Sequence, residues 1–241
     1  VAGESTARIG LLLPEVLGTY GDSGNATVLA KRLEWRGFEA EVVEVRLGEP
    51  VPSTLDIYLL GGGEDDAQAL AADHLRKYPG VRRAVANGAV VLGVCAGLQL
   101  LGTRFRGTDN VVHEGLGLLD VRTEPGEKRA VAELVATALP PLDSEPLTGF
   151  ENHLGQSRLG PSSEPLGKVV RGTGNGDGTE GAVTGNVLAT YLHGPVLARN
   201  PALADLLLGR MLGYPLPPLE LVEVAQLRHE RLTAASGRRA R

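Results

Sequence analysis

The sequence predicts an α/β protein with a mostly parallel central sheet flanked by helices. Three observations carry that reading. Short apolar runs at 9–13, 56–60 and 89–94 alternate with helix-like stretches, the pattern of strands joined by crossovers. Each run ends in a segment rich in turn residues, at the strand ends where open parallel sheets bind ligands. The run 89–94, Ala-Val-Val-Leu-Gly-Val, has no polar residue, as a strand buried on both faces requires.

Residues 1–7 are small and polar and are expected to be disordered. The first strand is 9–13. The connection 14–25, Pro-Glu-Val-Leu-Gly-Thr-Tyr-Gly-Asp-Ser-Gly-Asn, exceeds the roughly 2–6 residues usual in a βα unit, and long loops at strand ends carry function. A helix is predicted over 26–37, with Val28, Leu29, Leu33 and Arg36 at helical spacing and Gly37 as its stop. The alternation at 40–46 predicts a strand nearer the sheet edge. The strand 56–60 runs into Gly61, Gly62 and Gly63, whose amides can approach a ligand that side chains would block. The acidic, Ala-rich segment 64–78 predicts a helix stopped near Pro79 and Gly80, and a second short helix leads to Asn87 and Gly88.

Beyond the strand 89–94 the pattern loosens. Arg104 and Arg106 fall in a predicted loop, strand-like runs cover 115–123 and 130–137, and residues 126–129 read as a turn between them. Strand signals return at 147–150, followed by Glu151, Asn152 and His153. Segments 155–165 and 172–180 read as loops. Residues 181–192 suggest a hairpin turned at Gly185 and Asn186, which delivers His193 at a strand end. Helices are predicted at 201–213, opening on Pro201 and stopping at Gly213, and at 219–235. The expected organisation is one domain over 8–235 with a mobile basic tail at 236–241.

At 241 residues the chain can bury one sizeable core. A formal charge of −5 argues against a nucleic-acid partner, because phosphate binding wants a basic face. No apolar run approaches the ~20 residues that span a bilayer, so an integral membrane protein is not expected, and no secretory leader is recognisable. A single cysteine makes no internal disulfide and suits a reducing cytoplasm.

That cysteine, Cys95, stands where the buried strand meets a helix, flanked by Gly93 and Gly97. The position is the thiol version of a nucleophile elbow. Proximity to a helix N-terminus is expected to lower the thiol pKa from its free value of roughly 8.5. A lone buried cysteine is ordinarily a small hydrophobe. The frame Gly93-Val-Cys-Ala-Gly-Leu-Gln99 argues otherwise, since two glycines and an amide at that spacing serve no packing purpose. A nucleophilic cysteine needs a base. Of five histidines, His74 and His229 are assigned to helix surfaces, His113 to a loop, and His153 to a possible cleft wall. His193, ending an apolar strand before Gly194 and Pro195, is the best candidate. No zinc-type spacing and no phosphate loop are present, and Glu64, Asp65 and Asp66 read as the charged start of a helix.

Residues 93–99 resemble the nucleophile motif of class I, triad-type glutamine amidotransferases. Tyr20-Gly-Asp-Ser-Gly-Asn25, the triple glycine, Gly149-Phe-Glu-Asn-His153 and Thr190-Tyr-Leu-His-Gly-Pro195 with Asn200 and Pro201 resemble the cobyric-acid-synthase-like branch. Within it they are similar to the glutaminase subunits of lipid II isoglutaminyl synthases. The resemblance implies a flavodoxin-like class I amidotransferase fold and attack of Cys95 on the amide of L-glutamine. Amides of Gly62, Gly63 and Ala96 would hold the oxyanion, and His193 would be acid and base. Gln99 would shape the glutamine pocket, and Arg129, rather than its neighbour Lys128, would bind the substrate carboxylate. Many triad amidotransferases carry a glutamate two residues after the histidine, where this chain has Pro195. The site is therefore a dyad, or its acid is Asp22 or, less favoured, Glu151.

The resemblance also implies a Mur-ligase-like synthetase partner in a heterodimer. ATP and Mg would be bound by that partner and no cofactor or metal by this chain. The partner would present the D-glutamate of the lipid II stem peptide, so that the complex works in the cytoplasm at the inner face of the membrane. The alternatives are an amidotransferase for cobyrinate-type cobalamin biosynthesis and a non-catalytic amidotransferase-like binding module.

Overall fold

The computed structural model describes residues 6–108, 110–142, 146–219 and 221–235. The chain opens with β1 (Ala7–Leu12), α1 (Gly24–Glu34), β2 (Ala40–Val45), β3 (Ile57–Leu60), α2 (Asp65–Lys77), α3 (Gly80–Ala86), β4 (Val90–Val94) and α4 (Ala96–Leu101). It continues through β5 (Arg104–Arg106), β6 (Val112–Glu114), β7 (Val121–Ala138), β8 (Pro146–Leu159), β9 (Gly167–Arg171), β10 (Thr179–Glu180), β11 (Ala182–Thr184) and β12 (Val187–Thr190). The last elements are α5 (Val196–Arg199), α6 (Pro201–Leu212) and α7 (Val222–Ala235).

A six-stranded sheet in the order β11-β12-β4-β3-β1-β2 holds the core. All its neighbours pair in parallel except the hairpin β11–β12. Its central strands β3 and β4 are buried at every position, which is why they read as unbroken apolar runs. β2, at the edge, keeps Glu41, Val42 and Glu44 exposed. The Gly185–Asn186 turn closes the predicted hairpin. Pro201 opens α6, and Gly213 ends it in the left-handed region at φ 79°, as the helix signals implied.

The stretch beyond α4 departs from expectation. β5 to β10 build a second sheet, in the order β10-β9-β7-β5-β6 with β8 paired to β7, which takes in the strand-like runs expected at 130–137 and 147–150 and the end of that at 115–123. Arg104 and Arg106 lie on β5, not in a loop. The turn expected at 126–129 does not reverse the chain. It is an irregularity inside one 18-residue strand, where the β7–β8 register shifts between Pro125 and Ala130. Pro125 and Gly126 in a strand mark such a bulge as readily as a turn. β8 likewise runs to Leu159, through part of the predicted loop 155–165. At the N-terminus Ala7 already pairs with Ala40, so order begins earlier than the disordered 1–7 allowed, while residues 1–5 and the tail 236–241 lie outside the described residues.

His74 is also corrected, from helix surface to a buried position where its Nδ1 accepts the Gly48 N–H at 3.2 Å. Its place on α2 among charged neighbours concealed the contact.

Candidate active site

β1, β3, β4 and β12 end on the same side of the parallel sheet, and the residues just beyond their ends make the site. Cys95 follows β4 at φ 53° and ψ −102°, a strained backbone for a residue with a side chain. Two contacts hold it there. Cys95 N–H donates to Thr190 O at 2.8 Å, and Gly97 N–H donates to Gly61 O at 3.2 Å. A Cβ on Gly97 would sit 2.4 Å from Leu60 O, and one on Gly93 would sit 2.7 Å from the Gly97 carbonyl carbon. The glycines flanking the nucleophile are thus demanded by close backbone approach.

Thr190 pairs with Val94, so Cys95 and His193 leave adjacent strands at the same end. The His193 backbone bridges to Phe150 on β8, with N–H···O contacts of 2.8 and 3.1 Å. Its side chain is fully buried, and Nδ1 lies 2.9 Å from Asp22 Oδ2. The same oxygen accepts the Gly62 N–H at 2.8 Å. Two donors converging on one carboxylate oxygen place the proton on His193 Nδ1 and leave Nε2 as the acceptor. Nε2 is buried and has no protein partner among the described residues. The carboxylate that faces the His193 imidazole therefore comes from the long loop after β1, and not from position 195, which is proline.

Glu151 is not that acid. Burial works against its charge, but hydrogen bonds from His153, Gly174 and Thr173 outweigh burial and hold it below the ordinary glutamate pKa. Its oxygens lie 3.3 Å from His153 Nε2, 3.0 Å from Gly174 N and 2.8 Å from Thr173 N.

The expected low thiol pKa is reversed. Burial, and then the Asp22 carboxylate, push the Cys95 thiol up to about 12, against a weaker opposing pull from the Ala96 N–H and Arg129. α4 has only six residues, too short to offset full burial. The Cys95 side chain is therefore held as the thiol, and chemistry through the thiolate would need a base.

A cavity of about 330 Å³ opens over the sulfur, lined among others by Gly63, Cys95, Ala96, Gln99, Arg129 and Asn152. Gly62 is not at its wall and its amide is already given to Asp22, whereas Gly63 and Ala96 line the cavity beside the sulfur. Gln99 is buried, with both polar ends committed: Oε1 accepts from Gln68 Nε2 at 2.7 Å, and Nε2 donates to the Tyr191 hydroxyl at 3.2 Å. It lines the cavity with its amide fixed at both ends. Arg129 is exposed at the rim and donates Nε–H to Asn152 Oδ1 at 2.6 Å, while Lys128 does not reach the cavity.

Sequence reasoning missed two members. Tyr20, at φ 59°, lays its ring edge-on to the His193 imidazole with centroids 4.9 Å apart. Its hydroxyl accepts a hydrogen bond from Asn152 Nδ2, which links Tyr20 through Asn152 to Arg129. Asn152 also brings its carbonyl oxygen to 4.0 Å from Cys95 Sγ. Both residues lay in segments singled out by motif, but only the register of the second sheet against the first brings them together. Among the described residues no group of three or more His, Cys, Asp or Glu could hold a metal ion, and no helix is long and apolar enough to cross a membrane.

Residues 8–201 match the family of CobB/CobQ-like glutamine amidotransferase domains. The chain is 35% identical over 225 residues to the lipid II isoglutaminyl synthase (glutamine-hydrolyzing) subunit GatD of Staphylococcus aureus, covering 89% of each chain. It is 33% identical to cobyric acid synthase of Sphingopyxis alaskensis, covering 71% of this chain and 35% of that one. A solved glutamine amidotransferase superposes with a TM-score of 0.57 at 22% identity, over 84% of this chain and 98% of the other, a likeness of fold. With a family match over most of its length and a cysteine, histidine and aspartate gathered at one end of its sheet, the chain belongs to the CobB/CobQ-like glutamine amidotransferases.

Proposed function

We propose that this chain is the glutaminase subunit of a lipid II isoglutaminyl synthase. The observation that carries the reading is the match to GatD across 89% of both chains, where the cobyric acid synthase is matched over 35% of its length. The matched relative is named as the glutamine-hydrolyzing subunit of a synthase, and in this reading a separate ATP-dependent ligase carries out the amidation. That partner would be Mur-ligase-like, would bind ATP and Mg, and would activate the D-glutamate carboxylate of the lipid II stem peptide at the cytoplasmic face of the membrane. Ammonia from this chain would then complete the D-isoglutamine amide.

In this reading glutamine enters the cavity with its carboxylate toward Arg129, whose guanidinium suits a bidentate carboxylate contact. With the thiol at about 12, free thiolate at pH 7 would cost about 7 kcal/mol. Sγ–H therefore transfers its proton to His193 Nε2 as sulfur attacks the amide carbon. The amides of Gly63 and Ala96 receive the oxyanion, each worth ~3–4 kcal/mol. Collapse breaks the C–N bond, the imidazolium protonates the leaving nitrogen, and a γ-glutamyl thioester remains. His193 next takes a proton from water, which releases glutamate and restores the thiol.

Two measurements test the proposal. Ammonia release from L-glutamine by the wild type in its complex should vanish in Cys95→Ser, and equal release by both would end the mechanism. Purification from the source cell should bring down a Mur-ligase-like protein. A cobyrinate-amidating synthetase in its place would overturn the assignment of the acceptor.

A further inference from the structure

We propose that Glu180 is a positioning residue for the glutaminase centre, its buried carboxylate fixing the step over residues 190–192 that spaces Cys95 from His193. The inference rests on the glutaminase reading, but its geometry stands apart from the triad. β12 ends at Thr190, so the N–H groups of Tyr191 and Leu192 lose their ladder just before the chain delivers His193. Buried amides must find other acceptors. Glu180, fully buried on β10, supplies one of them. Its Oε1 accepts the Tyr191 N–H at 2.9 Å and the Thr190 hydroxyl. The Thr190 oxygen in turn accepts the Leu192 N–H at 3.0 Å, and the Thr190 carbonyl holds the Cys95 N–H at 2.8 Å. One carboxylate oxygen thereby organises a three-residue segment, one end of which is bonded to the nucleophile's amide while the other leads into the base.

The surroundings are built to accept this group at a cost. Glu180 Oε2 has no hydrogen-bond partner among the described residues. A Cβ on Gly174 would lie 3.2 Å from it and 2.5 Å from Thr179 O. A leucine of similar size would be cheaper to bury but would orphan the Tyr191 amide and release the Thr190 hydroxyl. Glu180 is fully buried with Oε1 committed to Thr190 and Tyr191, so it acts through backbone placement and not on substrate.

The experiment compares Glu180→Leu, Glu180→Gln and Thr190→Val in the assembled complex. It measures kcat and KM for glutamine and the NMR resonance of the His193 Nδ1 proton in labelled protein. A misplaced base should cost about 10²-fold in kcat. Glu180→Leu should show that loss with KM unchanged and a shifted His193 proton signal, and Glu180→Gln, which keeps an acceptor at the Oε1 position, should restore both. Thr190→Val keeps shape and removes the relay, so it should lower kcat in the same way, and it carries the test if the leucine variant fails to fold. Wild-type kcat with an unmoved His193 signal in Thr190→Val or Glu180→Leu would overturn the proposal, as would equal losses in the leucine and glutamine variants. If the wild type releases no ammonia the glutaminase reading falls, and the His193 signal alone decides whether Glu180 places the base.

Discussion

Replacing Asp22 with asparagine isolates the electrostatic part of the triad. In the wild type a single oxygen, Oδ2, accepts from His193 Nδ1 at 2.9 Å and from Gly62 N at 2.8 Å, while Oδ1 is buried without a partner among the described residues. An asparagine at this position can present its carbonyl oxygen to the same two donors, with its amide in the place of Oδ1. Shape, tautomer and the Gly62 contact are then retained, and only the negative charge is lost. In the proposed mechanism that charge matters when His193 becomes an imidazolium. For charge centres about 4 Å apart at an effective dielectric of 20 it is worth about 4 kcal/mol. Asp22→Asn should therefore lower kcat about 10³-fold while leaving KM for glutamine near wild type. The assay is ammonia release under saturating glutamine, with thermal unfolding followed in parallel to show an intact fold. A variant retaining a third of wild-type kcat would refute the reasoning, because the imidazolium would then draw its stabilisation from elsewhere.

The same geometry sets the outcome of other substitutions. Arg129→Ala should raise KM for glutamine about tenfold or more with kcat little changed, since loss of a charge-assisted contact costs about 1.5–3 kcal/mol, whereas Lys128→Ala should be silent in the same steady-state assay. Gly62→Ala would place a Cβ 2.7 Å from His193 Cε1 and 2.9 Å from Thr19 Oγ1, so turnover should collapse while circular dichroism reports a folded protein. Burial pushes Glu180 up to about 7 from 4.5. The folded state then binds this proton more tightly than the unfolded state, and the stabilisation, up to about 3 kcal/mol, is full below the unfolded pKa and is lost as pH rises through the folded one. Stability of the wild type in urea should fall from about pH 4.5 to 7 relative to Glu180→Gln, and parallel pH curves for the two would contradict it.

The parallel sheet was legible because burial on both faces leaves β3 and β4 as unbroken apolar runs, and the elbow was legible because Gly93 and Gly97 are set by backbone contacts with few alternatives. The second sheet was not. β7 and β8 are half exposed, so polar residues interrupt their alternation, and Pro125 and Gly126 mimic a turn that the long β7–β8 ladder overrides. In the site, motif and strand-end position were enough to single out Cys95, His193 and Asp22. The thiol pKa went the wrong way because local sequence shows the helix N-terminus but not the depth of burial. Tyr20, Asn152 and Glu180 depend on contacts between segments 132, 57 and 10 residues apart, which periodicity does not encode.

The left-handed backbone at Cys95 has a consequence for the stability of the domain. At φ 53° any side chain is under tension, of order 1–3 kcal/mol, and glycine alone escapes it. Glycine at position 95 would relieve that tension, at the loss of a buried side chain that packs in the core. Keeping a thiol there holds the strained backbone in place. In the proposed mechanism, chemistry and backbone strain pull in opposite directions at this one α-carbon.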